Sequence, residues 1–287
     1  MIEAFHYPSL TSFVDAIEAP LVLESNFRSR ESFKNGYMGG LAGLTQSSTW
    51  IDVKTLWFNG WPEGLAKMRE TLGTMEAPQV KSRKRVARWA DSGDEYSRER
   101  MEEGYFDSAW REVKRLSRRQ PVPVRLTIDV EAHVNIAHGD LFWRGAAVVL
   151  LADALATAGY PISVVATSGA DGMAMINAGG SRVNYQQYIT ILVKDWETPV
   201  YLPTLISTTG HGAFLRVGVF AHNVQKMPEP HDGGMGFSKE TSSQRTLREL
   251  GFSEQNIKTI TMPQSVGTLA TAKQWVAKMV DLLEEEV

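Results

Sequence analysis

The segment 121–169, PVPVRLTIDVEAHVNIAHGDLFWRGAAVVLLADALATAGYPISVVATSG, decides the fold. Val122, Val124, Leu126, Ile128 and Val130 alternate with Pro123, Arg125, Thr127 and Asp129. That is the two-residue period of a strand with one buried face. The parity continues, because Asp129, Glu131, His133 and Asn135 fall together on the other side. An extended chain would line up these four polar side chains at the carboxyl end of the strand, where open α/β sheets hold their ligands. Asp140 then precedes an apolar run and suits a helix N-cap. Residues 141–158 read as a helix about 27 Å long. Phe142, Ala146, Val149, Leu150, Ala154 and Leu155 supply its stripe. Ala147, Val148 and Leu151 widen the stripe, so the helix should be covered on most sides. Gly159 is placed as the left-handed residue after the helix, and Pro161 blocks continuation. Residues 162–167 form a second β-branched run. Strand, helix and strand make a βαβ unit with a right-handed crossover.

Downstream, the glycine-bearing stretch 169–184 reads as the connection to a third strand at 188–193, followed by Asp195 and Thr198. One or two helices fit within 199–223, broken near Gly210, His211 and Gly212. Residues 228–239 read as a turn-rich surface loop. A short helix at 242–250, a last strand at 258–262 and an amphipathic helix at 268–283 complete the order. The order predicts a three-layer α/β/α sandwich with a mostly parallel sheet. The directly joined second and third strands give it one antiparallel edge.

Upstream, residues 1–119 read as a mainly helical N-terminal region before an α/β domain at 120–287. Ser9 can cap a helix carrying Leu10, Phe13, Val14 and Ile17. LWFNGWPEG at 56–64 places two Trp and a Phe within five positions. It is either an apolar joint between two helices or a ligand-stacking site. GYMGGLAG at 36–43 is not a phosphate loop, because no Lys-Ser or Lys-Thr follows it. Lys81, Arg83, Lys84, Arg85 and Arg88 form one basic cluster, and Arg111, Lys114, Arg115, Arg118 and Arg119 another. The stripe Tyr105, Phe106, Ala109, Trp110, Val113 and Leu116 predicts an amphipathic helix over 95–118. It reads as a solvated, ion-paired helix or as a docking surface for phosphate or an acidic partner. The acids between the clusters count against a nucleic-acid face.

Lys+Arg 30 against Asp+Glu 33 gives a net charge of -3, so the whole chain exerts no general pull on nucleic acid. The chain has no cysteine, which removes disulfides, thiolate metal sites and thiol nucleophiles. No Gly-x-Ser-x-Gly elbow is present. The first residues do not read as a signal peptide, and no window offers 18 consecutive apolar residues. A soluble, cytoplasmic protein without membrane attachment is the expectation.

The element order from residue 121, with an acid at the first strand's end, resembles a von Willebrand factor type A domain. Such domains hold Mg²⁺ through Asp-x-Ser-x-Ser, with a Thr and an Asp from later loops. Here Asp129 is in place, Glu131 and His133 stand at the two serine positions, and Thr198 or Thr208 is the later Thr. Asp129, Glu131, His133 and Thr198 are therefore a candidate site for Mg²⁺ or another divalent cation. The alternative is that these groups face solvent or bond a neighbouring loop. A closer likeness is carried by residues 58–64 (FNGWPEG), Arg144-Gly145-Ala146-Ala147 with Gly159-Tyr160, and Ala213-Phe214-Leu215-Arg216-Val217 with Phe220. These resemble a family of uncharacterised phage and prophage proteins. Together the resemblances imply a phage-derived, non-enzymatic interaction or assembly module with a protein partner, in the host cytoplasm. A metal-dependent hydrolase or nuclease at the acidic strand end, and a virion structural component, are the other two readings.

Overall fold

The alternating run around Leu126 forms the interior strand that its period predicts, and the rest of the larger unit is arranged about it. The computed structural model describes residues 2–23, 50–72, 87–93, 95–113, 122–130, 138–176, 182–226, 231–232, 247 and 256–285. In chain order the strands are β1 (Ile2–Tyr7), β2 (Ala87–Ala90), β3 (Glu95–Tyr96), β4 (Trp110–Val113), β5 (Val124–Asp129), β6 (Ile162–Ile176), β7 (Arg182–Lys194), β8 (His231–Asp232) and β9 (Lys258–Met262). The helices are α1 (Leu10–Leu23), α2 (Trp50–Asn59), α3 (Pro62–Leu72), α4 (Arg98–Glu102), α5 (His138–Thr157), α6 (Leu202–Thr209), α7 (Phe220–Lys226) and α8 (Leu269–Glu285). A π-helical turn, Phe214–Val219, leads into α7. The chain divides into two compact units, residues 1–79 with 122–287, and residues 80–121.

The large unit is mixed α/β, with strand order β1-β7-β6-β5-β9 and β8 pairing β6. β5 is parallel to both β6 and β9, and β1 is parallel to β7. The β6–β7 hairpin is antiparallel. The sheet is thus mostly parallel with an antiparallel side, as the element order predicts. That side holds two strands rather than one, because β1 adds alongside Gln186 to Ile191 of β7. Residues 1–119 are therefore not a separate helical region, since their first strand belongs to the main sheet. The stretch read as a connection, 169–184, is largely strand, with β6 running to Ile176 and β7 starting at Arg182.

The βαβ unit forms as its sequence implies. Gly159 takes φ +84°, and Tyr160 N–H donates to Leu155 O at 3.0 Å while Gly159 N–H donates to Ala156 O at 3.0 Å. These two bonds close the helix in a Schellman motif. Leu141, Phe142, Ala146, Val148, Val149, Leu151 and Leu155 of α5 are all buried, as the wide apolar stripe requires. Asp140 lies in the helix's first turn rather than at its cap, because α5 begins at His138.

One expectation about β5 fails. All six of its residues are buried, so the strand has no solvent face. Val124, Leu126 and Ile128 share a face with Ile162, Val164 and Ala166 of β6 and with Ile260 and Met262 of β9. On the opposite face lie Arg125, Thr127 and Asp129, at 4%, 0% and 2% exposure. Their alternation separates an apolar buried face from a polar buried one.

Helix packing relies on close backbone approach. A Cβ on Gly145 of α5 would sit 2.2 Å from Gly210 Cα, just past α6. At Gly60, between α2 and α3, a Cβ would sit 2.3 Å from Pro203 Cβ of α6, and Trp61 N–H donates to Pro203 O at 2.9 Å. Trp57 is fully buried and stands edge-on to Phe214 at 5.2 Å, so this Trp of the aromatic run serves an apolar joint, while Phe58 is exposed.

In the small unit β2 and β3 flank β4 in an antiparallel sheet. The helix expected over 95–118 is absent from its described residues, which run strand, short helix, 3-10 turn and strand. Gly104, at φ +88°, ends the short helix one residue after its cap. Trp110 then aligns opposite Ala90 and Tyr96 in the ladder, which uses the aromatic spacing for cross-strand pairing.

Replacing Gly145 by Ala should force α5 and α6 apart, because only backbone atoms oppose the new methyl. A loss of about 2–3 kcal/mol is expected. Urea unfolding of Gly145→Ala checks it, and an unchanged midpoint would mean the two helices do not meet there.

Candidate functional site

Asp129 ends β5 at the sheet end where α5 begins. Its carboxylate accepts from Gln264 Nε2 at 2.9 Å, a residue just beyond β9. Arg144, on α5 and 2% exposed, donates through Nη2 to the Asp129 carbonyl oxygen. Burial pulls the Arg144 guanidinium below its ordinary value, and the charge of Asp129 pushes it back up. A cation and a carboxylate buried together lose hydration, and their mutual attraction and added hydrogen bonds offset that loss. The three residues tie β5, α5 and the loop after β9 into one network. Thr127 Oγ1 and Thr261 Oγ1 meet at 2.8 Å farther down the same face.

The described threonines of the sequence-derived site fall elsewhere. Thr198 is not brought to Asp129. β7 runs antiparallel to β6, so its carboxyl end lies where β5 and β6 begin, with Lys194 opposite Val164. There Asp195 Oδ1 accepts from Glu197 N–H at 3.1 Å and Thr198 N–H at 2.7 Å. The bonds from Thr198, side chain and backbone, hold the Asp195 carboxyl below its usual range. Thr198 is exposed and shapes this local turn. The other candidate, Thr208, is buried and donates its hydroxyl to Thr204 O at 2.9 Å within its own helix. Glu131 and His133 lie outside the described residues. Among the described residues no three His, Asp or Glu side chains converge in a metal-holding group.

His211 is buried, edge-on to the Trp61 ring at 4.5 Å, and its Nδ1 accepts from Ala213 N–H at 3.1 Å. It follows Gly210, which packs on Gly145 beside Arg144.

A second polar group, on the helix-covered face of β1 and β7, has no signature in the sequence. His222 of α7 is fully buried between Gln187 of β7 and Tyr7 of β1. Gln187 Nε2 lies 3.3 Å from His222 Nδ1, and His222 Nε2 lies 2.6 Å from Tyr7 Oη. The neutral ring with its proton on Nε2 satisfies both contacts, accepting from Gln187 and donating to Tyr7. Phe5 stands edge-on to the imidazole at 4.9 Å. Burial pushes His222 down to about 4, partly countered by its bond to Asn223, and pushes Tyr7 up to about 12. A base this weak and this enclosed serves to join strands β1 and β7 to α7.

The fold and strand-end geometry define a mixed α/β protein with a mostly parallel sheet. Residues 2–271 match the family model described as Domain of unknown function (DUF7192), and the chain belongs to that family. No curated protein and no solved structure matches it. Among the described residues no helix is long and apolar enough to cross a membrane.

Arg144→Met removes one partner of a buried charged network and should cost about 3–5 kcal/mol in urea unfolding. A loss below about 1 kcal/mol would show that Arg144 is not a brace. For His222 the folded ring titrates near 4 against an ordinary value of 6.5, so the unfolded chain binds the extra proton between them. Its contribution is therefore complete above pH 6.5 and fades as pH falls through 4, by about 3 kcal/mol in total. Urea midpoints measured across that range should fall less steeply for His222→Gln than for the parent. Parallel slopes would contradict the assignment.

Proposed function

We propose that the chain is a non-enzymatic interaction or assembly module of von Willebrand factor A type, phage-derived and working with a protein partner. The observation that carries this reading is the enclosure of Asp129. At 2% exposure, with its carboxylate bonded by Gln264 and its carbonyl by Arg144, it acts as a brace between elements. An acid serving catalysis needs an approach for substrate, water or metal. The strand order β7-β6-β5-β9, with a hairpin between β6 and β7, supports the likeness to the von Willebrand factor A arrangement.

A contact surface is also available. α2 buries Val53 and Trp57 and turns Ile51 and Phe58 outward, at 73% and 37% exposure. Seven positions apart, these two lie on one side of the helix. Tyr201, 56% exposed, stands close by, donating its hydroxyl to Asn59 O at 3.3 Å. Exposed apolar groups gathered in this way suit a protein partner.

A thermal-shift titration with Mg²⁺, Mn²⁺ and Zn²⁺, run beside Asp129→Asn, tests the reading. The expected outcome is no rise in the unfolding midpoint for any of the three ions. A rise that disappears in Asp129→Asn would instead favour a metal-dependent hydrolase or nuclease.

A further inference from the structure

β9 is the last strand of the large sheet, with β5 as its neighbour on one side. Lys258 N–H donates to Pro123 O at 2.9 Å, which sets the direction of the backbone groups along the strand. In a parallel ladder alternate residues turn both N–H and C=O to the same neighbour. Lys258, Ile260 and Met262 therefore bond β5, while Thr259 and Thr261 turn their N–H and C=O outward. Thr259 is exposed. Among the described residues no strand pairs this outer side.

Folded proteins usually blunt such an edge with a charge, a proline or a bulge inside the strand. In β9 the one charge, Lys258, is the first residue, and Pro263 comes only after the last. Its pairing with β5 runs from Lys258 to Met262 without a shift. Thr259, Ile260 and Thr261 are all β-branched, which suits an extended backbone. By contrast β1, the strand at the other edge, carries Glu3 within it.

We infer that β9 is the seam of a dimer, pairing antiparallel with β9 of a second copy to join two sheets into one. The order of residues selects this occupant. Thr259-Ile260-Thr261 reads the same in both directions. A two-fold axis at Ile260 sets Thr259 of each copy opposite Thr261 of the other, and Ile260 opposite itself. The outward backbone groups then fall in register, and each Thr259–Thr261 pair exchanges both of its N–H···O=C bonds. Threonine pairs are favourable across antiparallel strands. Lys258 falls opposite Met262, so no like charges meet. The Lys258 Nζ donates to Leu282 O at 3.4 Å, which places the end of α8 on the face of β9 that holds Ile260. The two-fold brings both copies of α8 to that face, where Leu282, 40% exposed, adds apolar area. A strand from an unrelated protein meets the same backbone groups but has no reason to mirror the Thr-Ile-Thr order. The seam uses no residue of α2 and does not depend on the partner proposed for that helix. An interface this narrow predicts a dimer that dissociates on dilution.

Sedimentation velocity of the full chain over a dilution series tests the seam, and a monomer–dimer equilibrium is expected. Thr259→Pro should weaken the dimer about tenfold or more, because it removes an outward N–H and leaves the β5 ladder whole. Thr259→Lys, at an exposed position, should weaken it similarly. Circular dichroism checks that both variants stay folded. The chain has no cysteine, so the register can be read directly. A mixture of Thr259→Cys and Thr261→Cys chains should cross-link on mild oxidation, because the residues of a hydrogen-bonded pair lie about 5.5 Å apart at Cα. Either variant alone should cross-link far more slowly, because each then meets its own copy only along the diagonal. A chain that is monomeric at every dilution would overturn the inference and leave the edge to a foreign strand. So would a dimer that both edge variants leave intact, or one in which the mixture cross-links no faster than each variant alone.

Discussion

Strand β5 has no side on water, and that constraint governs the sheet around it. A polar group enclosed without a partner costs about 1–3 kcal/mol, so a polar face inside the protein must be matched group by group. The matching is visible. Thr127 meets Thr261, Thr167 Oγ1 donates to Ile128 O at 3.3 Å, Gln264 holds the Asp129 carboxylate, and Arg144 holds its carbonyl. Each bond joins β5 to a different element. The polar side of β5 thereby fixes where α5 and the loop after β9 must lie, while its apolar side supplies the burial.

The helices above the sheet come together through atoms that are missing. Gly145 against Gly210, Gly60 against Pro203, and Gly218, where a Cβ would lie 2.7 Å from Trp57 Cη2, each let a backbone or a large ring into space that a methyl would occupy. Interiors are packed too densely for such contacts to be rearranged at little cost. The segments 58–64, 144–147 and 213–217 contain or adjoin these joints. They show where the helices are brought together.

Locally periodic elements were readable from residues alone. β5, α5 with its Gly159 terminator, β9 and α8 all follow from the spacing of apolar side chains within a few turns or pleats. What escaped depends on distant partners. β1 is a short mixed segment whose strand character comes from β7. The stripe over 105–116 fits a helical wheel, yet Gly104 ends a short helix before it, and its described part runs through a 3-10 turn into strand β4 at Trp110–Val113. Asp129 was correctly set at a strand end, but its burial was not legible, because alternation does not say whether the polar side meets water. Thr198 was misplaced for want of one fact, the direction of β7. The trio of Tyr7, Gln187 and His222 leaves no pattern, because each residue comes from a different part of the chain.

The pairing of β1 with β7 also bears on synthesis. His6 and Thr190, whose side chains meet at 2.8 Å, are 184 residues apart. A strand so far ahead of its neighbour emerges from the ribosome long before that neighbour exists. Loop closure across such a distance is slow, and an unpaired strand edge invites foreign pairing. The polar residues of β1, Glu3 and His6, leave that waiting segment less sticky than an all-apolar one. Nascent chains must therefore carry this strand unplaced while the 184 residues up to its partner are made.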